Sequence, residues 1–142
     1  MKVKGLSIIT GFVAALLFTI TLRFFKLFDF IKWDPIGYSD KLNILTASKG
    51  FVKWIILFLF IWIICVLLYY FSFIFMKMPV AISSLMVGII LAIAVEWLIM
   101  NDNTLIQLLK IVSIPFICIV TISLRFVMEA AIFHIQDQPL SK

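Results

Sequence analysis

Four apolar runs, Leu6–Phe25, Trp54–Phe75, Pro79–Met100 and Ile111–Phe133, take up most of the 142 residues. Each is long enough to cross about 30 Å of hydrocarbon at about 1.5 Å per residue. At that depth no water is available to the peptide groups, so a crossing segment must satisfy its own N–H and C=O groups as a helix. The composition agrees, with 65% hydrophobic and 13% charged residues. A soluble domain of this size leaves too much surface in water to hide so many apolar side chains. The runs therefore predict one all-α integral membrane domain over residues 1–142, with four transmembrane helices and the lipid bilayer as solvent.

The opening "MKVKGLSIITGFVAALLFTITL" has the basic start and apolar core of a signal peptide. No small-residue cleavage site followed by a soluble chain comes after it, so it is read as a retained first helix. The formal net charge of +5 comes from scattered rather than clustered basic residues. Lysines at the ends of spans suit anionic headgroups, and no nucleic-acid partner is expected. Ten lysines against two arginines, with much Ile and Phe, lean toward an AT-rich bacterial genome and hence a multi-pass protein of the cell (plasma) membrane.

The one long connection, residues 26–53, begins "KLFDFIKW". Lys26, Asp29 and Lys32 recur every third residue among apolar neighbours, which predicts an interfacial helical segment anchored by Trp33. Asp34-Pro35 and Gly37 then supply a turn. Only Met76–Met78 separates the second and third runs, which predicts a tight antiparallel hairpin, with Pro79 in the first turn of the third helix. The fourth helix begins at Ile111 or at Pro115; the pattern allows both.

Small residues recur every fourth position on two helices. Gly11, Ala15 and Thr19 line the first, with Arg23 one turn further; Ser84, Gly88 and Ala92 line the third, with Glu96 one turn further. Such stripes let helices approach closely in lipid, although composition alone also produces them. Helices one and three run in the same direction, so the stripes predict their contact and an Arg23–Glu96 salt bridge at one membrane face.

The fourth run holds Cys118, Thr121, Arg125 and Glu129 on one line. Arg125 and Glu129 are one turn apart, so each neutralises the other. Intramembrane charges often mark a polar pocket or relay, and Arg125, Glu129 and Thr121 are the candidate polar site; the simpler reading is a staple turned toward the bundle interior or an oligomer interface. His134 is expected to meet headgroups, and Glu96 to be hydrated near its helix end. Cys65 and Cys118 offer neither a disulfide framework nor metal-ligand spacing. No nucleophile–base spacing or phosphate-binding glycine loop is present, so no cofactor, metal or catalytic activity is expected.

The "GF" at Gly11-Phe12, the long loop with "WDP" and "SKG", the hairpin and the fourth helix with a short tail together resemble the YqhR type. These are small four-span membrane proteins of Gram-positive bacteria. The resemblance covers nearly the whole chain and implies the same four-span layout, with no catalytic or binding residues to carry over. The expected role is a non-catalytic accessory or scaffold acting through a membrane-protein partner or a second copy. The alternatives are a small transporter or channel protomer using the Arg125–Glu129 face and, third, an intramembrane enzyme.

Overall fold

Helix α1 covers Lys2–Leu27, α2 Gly50–Phe71, α3 Val80–Met100 and α4 Ile114–Gln136, with a 3-10 turn at Ser72–Phe75. The computed structural model describes residues 2–31, 33–37, 49–75, 77–100 and 113–136, and among them there is no strand. All four helices are long and apolar enough to span a membrane, over Gly5–Leu27, Gly50–Phe75, Val80–Ile99 and Ile114–Gln136. The chain is thus a polytopic, all-α membrane protein. The fourth helix starts at Ile114, within the expected Ile111–Pro115 window, and Pro115 sits in its first turn, where a missing N–H leaves no bond unmade.

Helix α1 packs along α2 and α4, and α3 packs chiefly along α4. Aromatic contacts fasten α1 to α2. The Phe12 ring meets Phe58 and Trp62 edge-on at 5.4 and 5.5 Å. The Trp62 indole N–H donates to the Ile8 carbonyl oxygen at 3.1 Å. Two buried clusters fill the bundle. One joins Ala14 and Ala15 of α1, Cys65 and Tyr69 of α2, and Val127 and Ala131 of α4. The other joins Leu22, Ile31, Ala92 and Phe116 nearer the opposite membrane face.

The expected contact of helices one and three through their small stripes is not made. A Cβ on Gly11 would lie 2.7 Å from Val66 Cγ2, and one on Gly88 would lie 2.6 Å from Thr121 Oγ1. Gly11 is therefore the seat of α2, and Gly88 is the seat of α4. A missing side chain permits a close approach by whichever helix is adjacent, and it does not specify which one.

The tight hairpin is also corrected. Helix α2 stops at Phe71, so eight residues, Ser72–Pro79, lie between it and α3. The 3-10 turn rests on both α2 and α4, and α3 is carried away from α2 onto α4. The Pro79 carbonyl accepts from the Ser83 N–H at 3.2 Å, so Pro79 stands just ahead of α3 rather than in its first turn.

The interfacial helix expected over Lys26–Trp33 is replaced by a helix stop. Helix α1 runs through Lys26 and ends with Asp29 at φ 54°, the left-handed region. The Phe30 N–H reaches the Phe25 carbonyl at 2.9 Å and the Asp29 N–H reaches the Lys26 carbonyl at 3.4 Å. Those two bonds, with the Phe25 and Phe30 rings 5.9 Å apart, make a Schellman motif with its hydrophobic contact. The chain then folds back over the bundle end. Trp33 packs edge-on against Phe116 at 5.2 Å. Lys26 Nζ holds Asp34 Oδ1 at 2.6 Å, and the same oxygen accepts from the Ile36 N–H. The remainder of the expected interfacial connection, residues 38–48, lies outside the described residues, as does the stretch with Gln107 and Lys110.

Candidate functional site

On α4 the side chains that build the core are Phe116 and, two turns on, Leu124, Val127, Met128 and Ala131, in an i, i+3, i+4, i+7 pattern. Such spacing gathers them on one face of a 3.6-residue helix. Arg125 and Glu129 fall on the opposite face. Arg125 Nε donates to Glu129 Oε1 at 2.7 Å, and the two side chains are 56% and 53% exposed. The pair is thus formed within α4, and it points out of the bundle. Of the two expected settings, the bundle interior is excluded by this exposure, and the oligomer interface is the one compatible with it.

Its depth makes that placement consequential. Arg125 is the middle residue of Ile114–Gln136, eleven residues from either end. At about 1.5 Å per residue the guanidinium carrier stands roughly 16 Å from each helix end, near the bilayer midplane. An unpaired arginine there costs about 2.5–3.5 kcal/mol on insertion scales, and the Glu129 partner recovers part of that. The recovery is incomplete. A guanidinium carries five N–H donors, and among the described residues only Nε has found an acceptor; Glu129 Oε2 is likewise left over. On the same face lie exposed Ile122, Phe126 and Phe133, with Cys118 toward the helix start.

Thr121 does not join the pair. At about 100° per residue it is offset by about 40° from Arg125 and 80° from Glu129, and that offset places it at the edge of the α3 contact, against Gly88. The polar line is wide enough for the helix interface to cut across it.

Arg23 and Glu96 are not brought together. Arg23 is exposed on α1, and no ion pair joins it to Glu96. Glu96 is only 2% exposed, against the expected hydration. Its Oε1 accepts the backbone N–H of Ser113 at 3.2 Å, at the residue that opens α4. The carboxylate therefore caps a helix start, where free N–H groups and the positive end of the macrodipole favour it. The Trp33 indole N–H lies beside the same carboxylate without closing a well-aligned hydrogen bond. The sequence placed Glu96 one turn before the end of α3, as observed; its burial beneath Trp33 was not visible there.

At the other membrane face, sequence reading missed an interhelical polar cluster. Tyr69, fully buried, shares a 3.0 Å hydrogen bond between its Oη and His134 Nδ1. Its neighbour Tyr70 shares one of 3.1 Å with Ser7 Oγ. Three helices, α1, α2 and α4, are joined there. The topology held the clue: α2 and α4 both end on the face where α1 begins, so these polar ends lie at one depth. His134 accordingly binds protein rather than headgroups alone.

Two shallow grooves face outward. One lies between α1 and α2, lined by Phe12, Leu16, Thr19, Ile20, Trp54, Ile55 and Phe58; the other is bounded by Ile8, Trp62, Ile63, Val66 and Leu67. Both are apolar and open to the hydrocarbon, and neither reaches Arg125. Comparison with protein-family models, with curated proteins and with solved structures finds no match.

Proposed function

We propose that this chain is a non-catalytic scaffold or accessory subunit of a bacterial plasma membrane, acting through lateral contact on the outer face of α4. One observation carries this reading: the Arg125–Glu129 pair stands at mid-span, outward and more than half exposed. Hydrocarbon offers no acceptor for the spare guanidinium donors, whereas a protein surface does. The close contacts at Gly11 and Gly88 inside the bundle suit a rigid support.

The test uses the full chain extracted with its native lipids, without detergent. The native mass is expected to exceed that of one chain. Replacing Arg125 and Glu129 together by Leu is expected to reduce it to a single chain while the four-span fold persists. A wild-type particle of one chain, or an assembly indifferent to the double replacement, would overturn the reading. The same mid-span charges also support a second reading, a transporter or channel protomer whose oligomer encloses the α4 face. Proteoliposomes of the wild-type chain would then show an ion flux that Arg125→Leu removes.

A further inference from the structure

We infer that the occupant of the α4 face is a second copy of this chain, related by a two-fold axis along the membrane normal. This rests on the reading of that face as a covered one and names its partner. The face carries one positive and one negative group, with spare donors on the Arg125 terminal nitrogens and a spare acceptor at Glu129 Oε2. What one copy lacks, an identical copy holds. An isologous interface brings the same patch of both subunits together, so residue i meets residue j and j meets i.

Membrane insertion fixes the rest of the geometry. Two copies with the same topology place their Arg125 and Glu129 groups at the same depth, because a two-fold axis along the normal does not change height. Within each copy the guanidinium and carboxylate already lie side by side. Face to face they close a ring of four alternating charges in which each guanidinium spans its own carboxylate and its partner's. The flanking residues are suited to surround such a ring. Ile122 at 63%, Phe126 at 41% and Phe133 at 62% exposure lie above and below the pair on the same face. They supply apolar cover that keeps lipid and water from the charges, as the rim of a central contact does. A partner with a different sequence would need its own matched charges at this depth; the second copy has them by identity.

The native cysteines provide the experiment. Cys118 is exposed on this face, whereas Cys65 is buried in the core. Full-length chain carrying a photo-reactive phenylalanine at Ile122 is irradiated in intact membranes, and separately the unmodified chain is treated with a bifunctional maleimide. Both are expected to give a product of twice the 16.3 kDa chain mass containing two differently tagged copies. The maleimide product is expected to disappear in Cys118→Ser. Arg125→Glu and Glu129→Arg are each expected to lose at least tenfold of the self-product. Mixed together, these two variants are expected to recover it, and so is the double exchange within one chain, which shows that the single exchanges did not unfold. A photo-product with a different protein only would overturn the second copy and leave the covered face standing. Photo-products with lipid only would overturn both. A self-product indifferent to every charge exchange would overturn the ring.

Discussion

Gly88 and Gly5 both sit inside helices, and their surroundings differ completely. A Cβ at Gly88 would lie 2.6 Å from Thr121 Oγ1 and 3.0 Å from Thr121 Cα, whereas one at Gly5 would meet nothing within 4 Å. Gly88→Ala is expected to push α3 off α4 and destabilise the fold by about 1–3 kcal/mol. Gly5→Ala is expected to be neutral or to stabilise by up to about 1 kcal/mol, since alanine is the better helix former. Thermal unfolding of the two variants in one detergent would check the difference, and equal effects would contradict the α3–α4 contact. The charge pair gives a second expectation at this scale. Glu129→Gln alone should cost more than Glu129→Gln combined with Arg125→Met, because the single change leaves an arginine uncompensated at mid-span. Melting temperatures ordered the other way would mean that the pair is hydrated.

At the scale of elements, the ends of helices are where chain chemistry and tertiary placement meet. The stop of α1 puts Asp29 at φ 54°, a conformation that glycine adopts without the penalty an L side chain meets. Asp29→Gly is therefore expected to raise stability by about 1 kcal/mol, and Asp29→Val to lower it by at least as much; a stabilising Val would exclude the left-handed stop. The start of α4 is held from outside by Glu96 Oε1 on the Ser113 N–H. Glu96→Leu should leave that N–H without an acceptor and cost about 1–3 kcal/mol, with Glu96→Gln milder because its amide oxygen still accepts. Hydrogen exchange at the first turn of α4 would report the loss locally. Much of this was legible beforehand. The apolar runs gave all four helices to within a few residues, and Asp34-Pro35 with Gly37 marked the turn that forms. Asp29 was misread because a polar residue every third position suits an amphipathic helix as well as a helix stop, and only the backbone distinguishes them.

For the whole molecule, the distribution of charge sets an expected orientation. Lys2, Lys4, Lys77 and Lys142 belong to one face, and Arg23, Lys26, Lys32, Lys41, Lys49, Lys53 and Lys110 to the other. By the positive-inside rule the richer side is expected to be the cytoplasmic one, with the loops inside and the termini outside. Reporter fusions at Lys142 and in the 34–49 loop would check this: activity of a periplasm-type reporter in the loop would reverse the assignment. In that orientation the Tyr69–His134 and Ser7–Tyr70 bonds would lie at the outer face and the Glu96 cap at the inner one.

The amino-acid sequence by itself determined that the chain spans a bilayer four times, as helices, with an arginine and a glutamate one turn apart in the last of them. Those properties are local: transfer to hydrocarbon depends on the composition of each run, and the helix follows from satisfying each peptide group nearby. The tertiary structure alone decided which helix sits on which. In lipid every apolar face is equally at ease, so hydropathy carries no direction, and the Gly11 and Gly88 stripes marked close approaches without naming Val66 and Thr121 as the neighbours. It also decided that Glu96 lies under Trp33 while Arg125 faces outward. Burial depends on what the rest of the chain lays over a residue, and that is not written in the residue's own neighbourhood.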